Sequence, residues 1–75
     1  MPTLDALEPG ARARIGAVAG EDAISMRLME MGVVEGEVIE VVLRAPWGDP
    51  TEYLIRGYRL SLRRSEAQRV AVEPL

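Results

Sequence analysis

The stretch from Arg27 to Gly36 most constrains the fold, because it joins one short helix to an apolar strand through two glycines. Asp22 is a typical N-cap, since its carboxylate can accept hydrogen bonds from free backbone N–H groups. The helix is therefore predicted over residues 23–31, and Gly32 suits the left-handed conformation that often ends a helix. One helix face carries the apolar side chains expected to meet the core, which are Ile24, Leu28 and Met31.

Much of the remaining chain alternates apolar and polar residues with the period of two that is typical of half-buried strands. Strands are predicted over residues 11–18, 37–44, 51–56 and 58–63, with a last strand at Val70 and Val72. Residues 64–67 are expected to form one 3₁₀ turn. The predicted inward-facing side chains are Ala11, Ala13, Ile15, Ala17, Ile39, Val41, Leu43, Tyr53, Ile55, Tyr58, Leu60 and Leu62.

Glycine and proline mark the turns between these strands. Pro9 and Gly10 suit the middle of a type II turn, and Gly57 marks a tight turn or a bulge. The segment 45–50 contains two prolines that lack backbone donors, so it is expected to form a hairpin tip. About five short strands in a small chain bury their edges best by curling closed. The predicted fold is mainly β, a small SH3-like barrel with one inserted helix, forming a single domain over residues 1–75.

Composition excludes several classes of protein. The chain has 75 residues, no cysteine and no histidine, so it has neither disulfides nor thiolate or imidazole metal ligands. Its net charge of −3 argues against a nucleic-acid binder. No apolar run approaches the length needed to span a bilayer, and no signal peptide is visible. We therefore expect a soluble, cytoplasmic protein that meets a membrane only through a partner.

Several turn and helix signals, taken in order, resemble those of the FeoA family, the ferrous iron transport protein A. They are Pro9-Gly10, Arg27-Leu28, Met31-Gly32, Gly36, Pro46, Gly48-Asp49-Pro50, Arg56-Gly57, Leu62-Arg63 and Glu66-Ala67. The resemblance implies an SH3-like barrel that works with FeoB, a membrane ferrous iron transporter carrying a GTP-binding domain. A similar domain ends the DtxR-type iron-dependent repressors, but this chain lacks their helix-turn-helix and metal-binding parts.

Catalytic or metal chemistry is not expected. Without histidine or cysteine the common nucleophile and base pairs are absent, so we predict no enzyme activity. Glu35, Glu37 and Glu40 cluster in sequence, but the last two differ in strand parity and should face opposite sides. The chain has no lysine for a P-loop. We therefore predict no metal site and no cofactor.

Exposed apolar residues are the better candidates for contact with a partner. Met26 points away from the core face of the helix, and Met29 lies on the flank nearer to Met26. Thioether side chains are flexible, so they suit a surface that adapts to a partner. The alternative places Met29 in the core. Trp47 is a candidate hot spot at the hairpin tip, although the preferred prediction is that it folds back over one end of the barrel. Val42 and Leu54 face outward on neighbouring strands and are predicted to form a patch, unless the N-terminal Leu4 and Leu7 cover it.

Two other classes of function stay open. A basic cluster at Arg56, Arg59, Arg63 and Arg64 would suit RNA, or a regulatory role beside a DNA-binding chain, although nearby acids such as Glu52 and Glu66 are expected to neutralise it. Open strand edges and the helix flank would suit weak self-association. In the preferred interpretation the helix docks on FeoB, while Leu28, Gly32 and Gly36 support its shape.

Overall fold

The structure, a computed structural model, describes residues 1–75. A 3₁₀ turn at Leu4–Ala6 precedes five strands and two helices. In chain order these elements are β1 Arg12–Val18, α1 Ala23–Glu30, β2 Val38–Arg44, β3 Thr51–Ile55, β4 Tyr58–Leu62, α2 Arg64–Ala67 and β5 Val70–Pro74. The five predicted strands and the inserted helix are confirmed. Each lies within about two residues of its expected bounds, which is the precision that sequence patterns give for the ends of elements.

All strands form one antiparallel sheet in the order β4-β3-β2-β1-β5. The mainly β fold is therefore confirmed. The two outermost strands do not pair with each other, so the barrel is not closed by hydrogen bonds. The core contains 14 buried apolar residues drawn from every strand, from α1 and α2, and from the N-terminal segment. None of them is Phe, and Tyr53 is the largest.

Both ends of α1 have the caps that its sequence predicts. The Asp22 carboxylate accepts a hydrogen bond from the Ser25 N–H at 3.1 Å, and the Asp22 N–H donates back to the Ser25 hydroxyl. At the other end, Gly32 has a φ of +94°, and the Val33 N–H donates to the Leu28 carbonyl at 3.0 Å. This pair of features is a Schellman motif. Leu28 and Val33 are fully buried, so the motif also fastens the helix to the core.

Two bulges overturn part of the predicted strand alternation. The register of β1 against β5 shifts between Ile15 and Val18, and that of β2 against β3 shifts between Val41 and Leu43. A bulge inserts one unpaired residue, so the side chains beyond it change face. Ala17, predicted inward, is therefore exposed, and Leu43, also predicted inward, is 60% exposed. Tyr58, at the start of β4, was likewise predicted inward and is 42% exposed.

The predicted turns are confirmed. A positive φ is found at each of Gly10, Gly32, Gly36 and Gly57. The Ala11 N–H donates to the Glu8 carbonyl across the Pro9-Gly10 turn. Arg56 has a φ of +52° beside Gly57, so this site is a tight two-residue hairpin turn.

The segment between β4 and β5 was expected to be 3₁₀ but is one α-helical turn, α2. The Glu66 carboxylate accepts from the Arg63 N–H at 2.8 Å, which caps this short helix. No helix in the structure is long and apolar enough to cross a membrane.

Candidate protein-binding site

The outer face of α1, defined by Met26 and Met29, carries two exposed thioether side chains. Met26 is 58% exposed and Met29 is 49% exposed, whereas Leu28 between them is fully buried. The alternative that placed Met29 in the core is therefore wrong. Ile24 and Met31 pack against the core from the opposite face, as predicted. The helix thus buries one side and presents flexible apolar side chains on the other.

Ion pairs tie this helix to the C-terminal third of the chain. The Arg27 guanidinium pairs with the Glu66 carboxylate on α2. Asp22 accepts from the Arg69 guanidinium at 2.7 Å. The hydrogen bond from the Ser25 backbone N–H, aided by Arg69, lowers the pKa of Asp22 below its usual value of 3.8. These two ion pairs fix α1 near both of its ends, and its outer face with Met26 and Met29 stays exposed.

Trp47 lies at the tip of the loop between β2 and β3 and is 90% exposed. The preferred prediction that it folds back over the barrel is wrong. The Gly48 N–H donates to the Ala45 carbonyl, which closes a turn around Trp47. The Asp49 carboxylate accepts from the Arg64 N–H at 3.0 Å and anchors the loop to α2. The barrel does not need the indole, because N-terminal leucines already help to fill its core.

The outer surface of β2 and β3 carries the sheet patch, which consists of Val42, Leu43 and Leu54. Val42 and Leu54 are half-buried, and the bulge places Leu43 on the same outward face. Leu54 lies opposite Glu40, so it is not the direct partner of Val42. Leu4 and Leu7 lie in the main core, so the N-terminal segment does not cover the patch. Sequence reasoning missed Leu43 because strict alternation pointed it inward.

The basic cluster is only partly neutralised. Arg59 pairs with Glu52 at 2.9 Å, as expected, and Arg56 lies 3.8 Å from Glu37. Arg63 and Arg64 make no ion pair in the structure. No three acidic side chains lie close enough together to hold a metal ion. The structure therefore brings together neither a broad cationic surface nor a carboxylate cage, but several separate apolar areas.

Comparison with known proteins agrees with this architecture. The FeoA domain family model matches residues 3–74. The chain is 43% identical over 70 residues to the Fe(2+) transport protein A/Fe(2+) transporter FeoB fusion protein of Porphyromonas gingivalis. That match covers 93% of this chain but only 8% of the fusion protein, so the chain corresponds to a small part of its relative.

Solved structures show the same fold. The solution structure of FeoA from Chlorobium tepidum is 40% identical, with a TM-score of 0.91 over 99% of this chain and 70% of that one. A zinc complex of Stenotrophomonas maltophilia FeoA, described as a procaryotic SH3 domain protein, is 36% identical. Its TM-score is 0.86 over 97% of this chain and 91% of that one. These matches confirm the SH3-like fold.

The expected relation to iron-dependent repressors is also confirmed at the level of fold. The IdeR protein of T. acidophilum matches with a TM-score of 0.86 at 22% identity, over 97% of this chain and 33% of the repressor. Identity this low establishes shared architecture alone. Family model, sequence relative and solved structures agree over almost the full length, and this chain therefore belongs to the FeoA domain family.

Proposed function

We propose that this chain is a non-enzymatic binding module that docks on the cytoplasmic side of FeoB, the membrane ferrous iron transporter, and modulates ferrous iron uptake. The observation that carries the proposal is the Porphyromonas gingivalis relative, in which a domain 43% identical to this chain belongs to one polypeptide named as a fusion with FeoB. A covalent link holds two modules at high effective concentration, which favours contact even when their intrinsic affinity is low.

A domain that docks on FeoB without a covalent link needs a surface that binds FeoB with sufficient affinity by itself. The outer face of α1 supplies two exposed methionines on a helix whose ends are both capped. Thioether side chains adapt to varied surfaces, and a capped helix loses little backbone entropy on binding. We assign the main contact to Met26 and Met29. Trp47 and the sheet patch are the next candidates, since Trp47 is the most exposed large apolar side chain.

Docking alters transport only through a difference in affinity between states of the transporter. A domain that binds two states equally well leaves their populations unchanged, however tightly it binds. The proposed module therefore prefers one conformation of FeoB. Because the family resemblance implies a GTP-binding domain in FeoB, nucleotide state is the variable with which to test that preference.

The direct test measures binding of the purified chain to detergent-solubilised FeoB, with and without a non-hydrolysable GTP analogue. Saturable binding is expected, with Met26→Glu weakening it because a charge placed in an apolar contact must be desolvated. Leu43→Glu is the matched comparison, since it introduces the same charge at an equally exposed apolar side chain of the sheet patch, the alternative contact. Met26→Glu should melt like the wild type, whereas Leu43→Glu, which lies opposite Glu52 of β3, should melt slightly lower, so binding is compared at a temperature at which both variants are folded.

Three outcomes decide the proposal. A loss of affinity with Met26→Glu but not with Leu43→Glu supports docking through α1. The reverse pattern moves the contact to the sheet patch and refutes the assignment to α1. An absence of binding up to about 100 μM, equivalent to about −5.5 kcal/mol, would refute direct docking by the isolated chain.

A further inference from the structure

The two edge strands of the sheet are treated differently by the fold. The outer edge of β5 is covered by the N-terminus, since Thr3 bridges to Ala71 and the Val72 N–H donates to the Pro2 carbonyl at 3.0 Å. The outer edge of β4 has no strand beside it. An uncovered edge presents a row of backbone donors and acceptors to any extended chain that approaches. Strand β4 is therefore the one open edge of this barrel.

The β3–β4 turn determines which groups of β4 are free. In a hairpin with a two-residue turn the closing pair exchanges hydrogen bonds, and here that pair is Ile55 and Tyr58. Hydrogen-bonded pairs then alternate along the strand, so Leu60 and Leu62 bond to β3. The intervening residues, Arg59 and Ser61, direct their N–H and C=O groups away from the sheet. These four backbone groups form the free edge.

A cleft of about 660 Å³ is lined by residues of α1 and α2 and, from the free edge of β4, by Ser61. Its apolar lining includes Ile24 of α1 and Met31, the C-cap residue of that helix. Arg27, Arg63 and Glu66 form its polar part. The Glu66 carboxylate pairs with the Arg27 guanidinium and accepts a hydrogen bond from the Arg63 backbone N–H, so it does not neutralise the Arg63 guanidinium. The Arg63 guanidinium is left without an acidic partner, so the cleft has an excess positive charge.

We propose that β4 and this cleft form a docking site for an extended peptide segment that alternates apolar and acidic side chains. The segment adds as a sixth strand by bonding to the N–H and C=O groups of Arg59 and Ser61, which is the geometry of β-strand addition. Its apolar side chains contact Ile24 and Met31, while a carboxylate pairs with Arg63. This site is distinct from the outer face of α1 and does not depend on docking to FeoB.

Charge decides between an acidic segment and a second copy of this chain. Between positions 56 and 64 the chain has four arginines and no acidic residue. Two copies paired through β4 would bring the unpaired Arg63 and Arg64 of both copies to one interface, and like charges across paired strands are destabilising. An acidic segment instead gains an ion pair at Arg63. The occupant favoured by this edge is therefore a heterologous acidic strand.

The test uses ¹⁵N-labelled chain and synthetic peptides of about seven residues, the length of an ordinary strand, in which valine and glutamate alternate. In the free protein the amides of Arg59 and Ser61 should exchange with solvent quickly, whereas those of Leu60 and Leu62 are protected by β3. Saturating peptide should protect Arg59 and Ser61 and leave the other two amides unchanged. Unchanged exchange at Arg59 and Ser61 throughout the titration would overturn the proposal.

N-methylated peptides separate strand addition from simple groove filling. Alternate residues of an added strand direct their N–H groups to β4 and to solvent. Methylating one set should abolish binding, while methylating the other set should leave it intact. Equal tolerance of both sets would show that no backbone pairing occurs and would overturn the proposal.

Charge is tested with a valine and lysine peptide and with Arg63→Gln. The lysine peptide should fail to bind, and Arg63→Gln should weaken the glutamate peptide about two- to fivefold, the range of an exposed ion pair. Arg12→Gln, which removes an exposed arginine from β1, is the matched control and should have no effect. Equal binding of both peptides would refute the acidic occupant.

Protection of the Arg59 and Ser61 amides that appears when the protein alone is concentrated would identify a second copy of the chain as the occupant instead.

Discussion

Replacement of Gly32 by alanine tests how α1 is joined to the barrel. Gly32 has a φ of +94°, a conformation that costs a residue with a Cβ roughly 1–2 kcal/mol. An added Cβ would also lie 2.6 Å from the Tyr58 hydroxyl oxygen. Because Tyr58 is partly exposed, its ring can move aside, and we expect this displacement to cost about 1 kcal/mol more, the low end for overpacking. The total expected loss for Gly32→Ala is about 2–3 kcal/mol.

Gly36→Ala is the matched control. Gly36 has nearly the same φ, +95°, but an added Cβ there would meet nothing within 4 Å. Its expected loss is the backbone term alone, about 1–2 kcal/mol. The difference between the two variants therefore isolates the contact between the end of α1 and β4.

A double-mutant cycle with Tyr58→Phe completes the test by urea denaturation. Phenylalanine removes the hydroxyl, and the nearest remaining ring carbon would lie 3.7 Å from the new Cβ, an ordinary contact. In that background Gly32→Ala should cost no more than Gly36→Ala. An unchanged cost of Gly32→Ala would refute the steric argument, and a cost below about 0.5 kcal/mol, the scatter of neutral surface changes, would refute the backbone argument.

Three further predictions concern the core, the loop and the helix cap. Leu28→Ala should destabilise the fold by about 2–5 kcal/mol, because Leu28 is fully buried; a smaller loss in a urea melt would contradict its assigned place in the core. Trp47 fluorescence should be strongly quenched by acrylamide, since the side chain is 90% exposed, and weak quenching would contradict that exposure. The pKa of Asp22 is lowered on folding, so its ionised cap stabilises the fold fully above the unfolded value of 3.8. That stabilisation is lost as the pH falls through the lower folded pKa. Acid unfolding of Asp22→Asn should therefore depend less on pH than that of the wild type, and identical profiles would count against this cap.

Much of the fold could be predicted because its signals are local. The N-cap at Asp22, the left-handed stop at Gly32 and the Pro9-Gly10 turn each depend on a few neighbouring residues. Their physical causes, a free N–H to satisfy and a φ that only glycine adopts easily, are the same in any chain. The period-two alternation likewise predicted where the strands lie, although the observed ends differ from the predicted ends by one or two residues.

The candidate site was only partly predictable. Met26 and Met29 followed from helix geometry and are exposed, although their contact with FeoB stays a proposal. Leu43 was missed, because its face depends on a bulge that appears only when β2 pairs with β3. Trp47 was misplaced, because its exposure depends on which other side chains fill the core. Those outcomes depend on residues far away in sequence, and no local pattern reports them.

By itself the sequence determined the class of protein, namely a small, mainly β domain with one capped helix and no histidine, cysteine or lysine for common catalytic or phosphate-binding chemistry. It also contained the ordered motifs by which the family was correctly identified. Only the tertiary structure decided that β5 is covered by the N-terminus while β4 stays open, and that Arg63 faces a cleft beside α1 without an acidic partner. Edges and clefts arise where segments distant in the chain meet, so they depend on long-range packing rather than on local preference.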